Sequence, residues 1–158
     1  LLPPPLSYPL PIDARFLPSR ELGGDCFDYF WLDENHLIMY VLDVAGHGLG
    51  AALPSVSVLN LLRSRSTIGT TYYQPETILK ILNQTFPMSN DSQKYFTLWY
   101  GVYSRSTAQL TYASAGHPPA ILLSGGGDTP VKYQKLKTPG LPIGLFPHSN
   151  FQSGVCTV

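Results

Sequence analysis

Residues 23–48 have the sequence GGDCFDYFWLDENHLIMYVLDVAGHG. The part from 26 to 32 is rich in aromatic residues, and the part from 36 to 42 is apolar and favours extended backbone. Between them lies Asp-Glu-Asn at 33–35, three residues that are typical of a turn. The stretch therefore predicts a β-hairpin.

Two aspartates lie symmetrically about the turn of this hairpin. Glu34 is the midpoint of positions 25 and 43, so Asp25 and Asp43 face each other if the strands pair without a slip, at about 4.5–5.5 Å. Two like charges in that position repel, and a cation would relieve the repulsion. Mg²⁺ and Mn²⁺ both prefer carboxylate and carbonyl oxygens. The alternative is that both aspartates merely end their strands at the solvent edge.

Glycines flank both aspartates. Gly23 and Gly24 come before the first, and Gly46 and Gly48 follow the second. Glycine lets the backbone approach a ligand where a side chain would block it. A strand that turns into a helix just after Asp43 would direct free amides and the positive end of the helix dipole towards this point, which favours a bound phosphate.

The rest of the chain predicts two helices and more hairpins. Residues 48–65 have helical spacing, with Pro54 as a kink or as the first turn, and 75–86 form a helix that ends before Pro87. The expected apolar stripes are Leu49, Leu53, Val56, Leu59 and Leu62 on the first helix and Ile78, Leu79, Leu82 and Phe86 on the second. Further strands are expected at 95–103 with 109–115, at 120–124 with 131–136, and from about Phe151. Strands in hairpins favour antiparallel sheets that carry helices, an α+β fold.

Composition limits the class of protein. A chain of 158 residues with 13% charged residues and zero net charge is expected to form one domain without the basic surface that nucleic-acid binding needs. The longest apolar run, 37–42, is too short to cross a bilayer, and no secretory signal opens the chain. With only two cysteines, we expect a soluble cytoplasmic protein. Residues 1–9, rich in proline, are predicted to be a linker from an upstream sensor or receiver module, and residues 10–158 the domain itself.

Other catalytic chemistries lack their residues. A phosphate-binding thiol loop around Cys26 needs an arginine where Leu32 stands, so Cys26 is expected to pack in a strand. Neither a nucleophile elbow nor a P-loop motif occurs. The histidines lack the spacing of zinc ligands.

Five motifs in chain order resemble those of the RsbU and stage II sporulation protein E branch of the metal-dependent (PPM, protein phosphatase 2C type) protein phosphatases. The motifs are Gly23-Gly24-Asp25-Cys26-Phe27-Asp28, Asp43-Val44-Ala45-Gly46-His47-Gly48 followed by Ala51-Ala52, Tyr95-Phe96-Thr97, Ala115-Gly116-His117-Pro118-Pro119 and Gly140-Leu141-Pro142-Ile143-Gly144. The resemblance implies an α/β/β/α sandwich of two mostly antiparallel sheets flanked by helices. It also implies two Mn²⁺ or Mg²⁺ ions and hydrolysis by a water that bridges them.

The resemblance also implies roles for individual residues. Asp25 would be a metal ligand, Asp43 the ligand that bridges both ions, and Val44 a ligand through its carbonyl. Near the phosphate or substrate it places Gly46, His47, Gly48 and His117, although His47 could instead shape the helix start and His117 could order its loop. Asp28 matches a motif acid, but strand alternation points it away from Asp25, so we expect it to support the site or the fold from the opposite face.

The implied function is hydrolysis of phosphoserine or phosphothreonine on a regulatory protein, by analogy an anti-sigma-factor antagonist. The domain would be the output module of a bacterial signalling protein, either as a monomer or as a homodimer. Relatives in this branch have a further metal-ligand aspartate in an Asp-Gly turn that this chain, ending at Val158, lacks, so we expect a C-terminally truncated domain with weak metal affinity. The alternatives are a non-catalytic interaction module and a metal-binding regulator without turnover.

Overall fold

The computed structural model describes residues 3–7, 9–17, 23–64, 69–88 and 94–158. Leu1, Leu2 and Tyr8 of the predicted linker, and the predicted end of the first helix at Arg65, lie outside these residues.

In the described part of the chain, seven strands form two antiparallel sheets. The larger has the order β1-β2-β3-β4-β7, and the smaller consists of β5 and β6. The strands are β1 Cys26–Trp31, β2 His36–Val44, β3 Phe96–Ser104, β4 Gln109–Ala115, β5 Ala120–Gly126, β6 Thr129–Leu136 and β7 Ser153–Thr157. The predicted hairpins are confirmed, with β2 two residues longer than predicted and β7 starting two residues after Phe151.

The same described ranges contain two α-helices, α1 (Leu49–Ser64) and α2 (Pro75–Thr85), and a short 3₁₀ helix, Gly69–Tyr73, that lies between them in sequence. Within the described ranges, no helix is long and apolar enough to cross a membrane. As predicted, α2 begins at Pro75 and buries Ile78, Leu79 and Leu82.

The two faces of the large sheet have different partners. Alternate residues of β2, such as Ile38, Tyr40 and Leu42, are buried in one core with α1 and α2. The opposite face packs against the small sheet, where Trp99 Nε1 donates a hydrogen bond to the carbonyl of Leu136 (3.0 Å). The layers are therefore helices, large sheet and small sheet, and the predicted α+β sandwich is confirmed.

The predicted apolar stripe of α1 was wrong at three of its five positions, whereas Leu62 is buried as predicted. Leu49, Leu53 and Val56 are 64%, 58% and 52% exposed. The buried face consists of Ala51, Ala52, Ser55, Val58 and Leu62, and Pro54 lies inside the helix beyond its first turn. Small residues face the sheet because the two backbones come close here: a Cβ on Gly24 of the adjoining segment would lie only 3.0 Å from that of Ala51.

The N-terminal segment contacts the sheet. Leu6 and Ile12 exchange two backbone hydrogen bonds (3.2 and 2.8 Å), and the Tyr29 hydroxyl donates to the carbonyl of Pro4 (3.0 Å). The division between linker and domain at residue 9 stays a prediction.

Asp33 connects the β1–β2 turn to the 3₁₀ helix. Its carboxylate accepts hydrogen bonds from the backbone N–H groups of Asn35 and His36 (both 2.7 Å) and from the Tyr73 hydroxyl (2.8 Å), and it pairs with His36 Nδ1. Desolvation acts in the opposite direction, but the hydrogen bonds from Tyr73, Asn35 and His36 hold the pKa of Asp33 well below its usual range. The ionised form is therefore favoured by folding.

We expect Asp33→Asn to destabilise the protein at about pH 7 and to have progressively less effect as the pH falls below the ordinary aspartate pKa of 3.8. The sign follows because a pKa depressed by folding stabilises the protein above the unfolded value, and this contribution disappears on acidification through the folded value. Urea midpoints measured at several pH values would test this. Glu34→Gln, an exposed neighbour in the same turn, is the matched control. A destabilisation by Asp33→Asn that did not change with pH would contradict the prediction.

Candidate functional site

The ladder between β1 and β2 brings Asp25 and Asp43 together. Its register pairs Cys26 with Leu42, and Asp25 and Asp43 lie one position further along in the same register. Both side chains are exposed, on the face of the sheet opposite the helices. The geometry that the spacing predicted is thus present, whereas metal binding by the pair stays a prediction.

The neighbouring carboxylates of Asp25 and Asp43 repel each other. Partial desolvation, a hydrogen bond shared with Asp43 and repulsion from its charge raise the pKa of Asp25, while His117 has the opposite effect. No lysine or arginine in the described part of the chain forms an ion pair with either carboxylate. Two hard, like-charged oxygen donors without a cationic partner suit a divalent cation. Among the described residues, no group of three His, Cys, Asp or Glu side chains is arranged to hold a metal, so a metal at this place would depend on the carboxylate pair and nearby carbonyls.

The backbone after Asp43 forms a tight loop. Val44 has a buried side chain, and a Cβ on Gly24 would lie 2.8 Å from its carbonyl oxygen. Gly46 and Gly48 have φ of +99° and +74°, which side-chain-bearing residues rarely adopt. The carbonyl of Gly48 accepts hydrogen bonds from the N–H groups of Ala51 and Ala52 in the first turn of α1. These glycines thus shape the loop that carries the Val44 carbonyl, and Gly24 permits close strand packing.

Lys94 crosses over this loop. Its Nζ donates a hydrogen bond to the carbonyl of Ala45 (3.3 Å), and a Cβ on Gly46 would lie 2.7 Å from that nitrogen. The side chain of His47 is exposed, and its backbone pairs with Gly23. Sequence reasoning missed Lys94, because nothing local links it to a loop so distant in sequence.

Thr97 and His117 complete the exposed end of the sheet. Thr97 is the β3 partner of Asp43, and its Oγ1 lies 2.7 Å from His117 Nδ1. His117 lines a cavity of about 300 Å³ together with Asp25 and Asp43. Burial lowers the pKa of His117, and Asp25 opposes this shift. Sequence reasoning placed Thr97 in a motif but gave it no role in the site.

The motif at 140–144 fixes the start of β3. Ile143 is buried and exchanges backbone hydrogen bonds with Phe96 (2.8 and 3.2 Å). The N–H of Gly144 donates to Asn83 Oδ1 of α2 (2.8 Å). These contacts lie beside Thr97, so the motif supports the position of the site from the core.

Asp28 lies away from this site. It is 3% exposed, accepts a hydrogen bond from Arg63 Nε of α1 (2.6 Å), and contacts the Tyr40 hydroxyl (3.4 Å). On the same face, burial and the nearby Asp28 raise the pKa of Cys26 to about 12, so the thiol is not activated as a nucleophile. The structure therefore places Asp28 where it joins β1 to the end of α1.

The fold and these motifs agree with a comparison to family models. Residues 33–158 match the model of the stage II sporulation protein E (SpoIIE) family. The chain belongs to this family. Among curated SpoIIE-like proteins, it is 31% identical over 146 residues to the phosphoserine phosphatase RsbP and 30% identical over 141 residues to the phosphoserine phosphatase RsbU, both of Bacillus subtilis (strain 168). The match with RsbP covers 90% of this chain and 34% of RsbP, and the match with RsbU covers 89% of this chain and 40% of RsbU. The chain therefore spans well under half the length of these two relatives.

Solved structures with the same fold include PP2C-type phosphatase domains. The structure of the PP2C phosphatase domain of SpoIIE from Bacillus subtilis superposes with a TM-score of 0.70 at 18% identity, covering 87% of this chain and 38% of that one. RsbX in complex with magnesium superposes with a TM-score of 0.59 at 22% identity, covering 88% and 62%. These likenesses show the fold of this SpoIIE-family chain.

We expect Arg63→Met to lower the free energy of unfolding by about 3 kcal/mol, because it leaves the buried Asp28 carboxylate without its cation while keeping a side chain of similar length. Chemical denaturation measures this loss. Lys80→Met removes an exposed cation from α2 and serves as control. Equal losses in the two variants would show that the ion pair with Asp28 contributes nothing particular.

Proposed function

We propose that the protein hydrolyses phosphoserine or phosphothreonine on a regulatory protein with the help of divalent metal ions. The observation that carries this proposal is the facing pair Asp25 and Asp43, next to a glycine loop, in a chain of the SpoIIE family. Magnesium in RsbX is consistent with hard-ion chemistry in proteins of this fold.

Asp25, Asp43 and the Val44 carbonyl would hold the metal, with Asp43 shared between two ions. All three supply hard oxygen atoms, which suit Mg²⁺ and Mn²⁺. When bound, the ions would activate a water molecule and draw charge from the phosphate. The loop at 46–48 would fix the backbone around the phosphate, and the glycines at 46 and 48, both with positive φ, leave these two positions without a side chain.

The substrate that we propose is a phosphoserine on a small protein. Both carboxylates are exposed at the end of the sheet, so a phosphorylated side chain on a protein surface could reach them. By analogy with the family, the substrate would be an anti-sigma-factor antagonist, with the domain acting as the output of a cytoplasmic signalling protein. The two free thiols, Cys26 and Cys156, agree with a reducing compartment.

A second candidate is a non-catalytic interaction module. It is favoured by the observation that no third acidic or imidazole ligand joins the pair within the described ranges. Such a module would bind Mn²⁺ weakly or not at all and would release no phosphate. Calorimetric titration with Mn²⁺, run beside a phosphate-release assay, separates the two functions.

We expect Asp43→Asn to lower Mn²⁺-dependent hydrolysis of a phosphoserine peptide at least about 100-fold, because it removes the shared ligand. The same change should raise the stability of the metal-free protein by about 0.2–1 kcal/mol, because it relieves the repulsion with Asp25. Initial rates and urea denaturation measure the two effects.

Asp128→Asn, in the exposed turn between β5 and β6, is the matched control and should change neither quantity. An Asp43→Asn variant that kept the full rate would rule out the metal site proposed here. A variant that lost both activity and stability would indicate a structural role for the carboxylate.

A further inference from the structure

Hydrolysis of a phosphoserine leaves a serine alkoxide, which is a poor leaving group. A positioned acid that protonates this oxygen contributes about 10²–10⁴-fold to the rate of such reactions. Such a donor must be a titratable side chain that faces the two aspartates.

The cavity beside the aspartates offers few candidates. Two of the titratable groups that line it, Asp25 and Asp43, are the proposed metal ligands. A third, the Cys26 thiol, keeps its proton at neutral pH because burial raises its pKa to about 12. Among the described residues that line the cavity, the remaining titratable group is the imidazole of His117, which is half-buried. Neither His47 nor Lys94 lines this cavity, and the Lys94 amine already donates to a carbonyl of the loop.

Thr97 sets the orientation of this imidazole. Its Oγ1 lies 2.7 Å from Nδ1 of His117, and Thr97 itself is fixed as the β3 partner of Asp43. Pairing through Nδ1 leaves Nε2 as the nitrogen that can serve the cavity. His117 is anchored by Gly116, whose φ of +68° and hydrogen bond to the carbonyl of Gly140 (2.9 Å) fix the turn after β4. The ring is therefore held from two sides.

We infer that His117 is the proton donor to the leaving serine oxygen and that Thr97 is its positioning residue; this inference rests on the proposed function. The oxygen of the attacking water forms a new bond to phosphorus, and its proton passes to solvent. The bond from phosphorus to the serine oxygen breaks, and its electron pair stays on that oxygen, which takes the proton from His117 Nε2. The imidazole then regains a proton from solvent, while Nδ1–H donates to Thr97 throughout.

Two substrates with different leaving groups test this role in the Mn²⁺-loaded protein. A phosphoserine peptide needs protonation of its leaving oxygen, whereas p-nitrophenolate leaves p-nitrophenyl phosphate without it. We expect His117→Gln to lower kcat for the peptide about 100-fold or more and kcat for p-nitrophenyl phosphate by less than about threefold. Mn²⁺ affinity, measured by calorimetry, should stay within about threefold of the unsubstituted protein.

Matched variants separate positioning from folding. Thr97→Val should lower the peptide rate selectively, and Thr97→Ser should restore it, since serine keeps the hydroxyl that pairs with His117. His148→Gln removes an exposed imidazole elsewhere and should leave both rates unchanged.

Equal loss of both rates in His117→Gln, or no loss of either, would overturn the inference. A tenfold weaker affinity for Mn²⁺ in that variant would also overturn it, because His117 would then be a metal ligand. If the unsubstituted protein with Mn²⁺ hydrolysed neither substrate, the proposed function would fail and this inference with it. That result is seen before any variant is made, so the two failures are distinguishable.

Discussion

The pairing register of β1 and β2 holds two carboxylates of the same charge against each other. Ile38, Tyr40 and Leu42 fix this register, because they fill the core beneath α1 and α2. A slip of one residue would turn these side chains out to solvent and direct Asp43 into the core. The free energy of apolar burial, about 1.5–3 kcal/mol for each large side chain, exceeds the repulsion of one exposed carboxylate pair, about 1 kcal/mol or less. Packing therefore maintains an arrangement that electrostatics alone would separate.

The two faces of the large sheet have different roles: one packs against the helices, and the other carries the polar side chains of the candidate site. On the helix side, Gly24 packs against Val44 and Ala51 where α1 begins, and Asp28 binds Arg63 where α1 ends. On the other face, four polar side chains from different segments meet at one end of the sheet: Asp25, Asp43, Thr97 and His117. Because the strand before the loop and the helix after it are both fixed to the sheet, the loop at 44–48 has little freedom. A site of this kind needs such rigidity, since oxygen ligands on separate strands must keep their spacing.

The parts of this arrangement that are local in sequence could be predicted from it. That Asp25 and Asp43 face each other could be predicted because both are equally distant from the centre of the β1–β2 turn. A tight hairpin allows few pairing registers. The place of Thr97 did not follow, since β3 joins β2 only after both helices and its register depends on the whole core. The buried stripe of α1 was mispredicted because hydrophobicity suggested Leu49 and Leu53, whereas close contact with the sheet selects small residues such as Ala51. The ion pair of Arg63 with Asp28 was also missed, because these two residues are distant in sequence and meet only in the folded chain.

Asp25 and Asp43 are difficult to explain as structural residues. A buried acid such as Asp28 contributes to the fold through its partners, and its carboxylate is paired with Arg63. Asp25 and Asp43, by contrast, are exposed, form no ion pair with a described lysine or arginine, and repel each other. A neutral residue at either position would suit a sandwich that served only as scaffold or docking surface. A divalent cation between the carboxylates would offset this cost, so the electrostatics of this pair favour metal-dependent chemistry over a purely structural role.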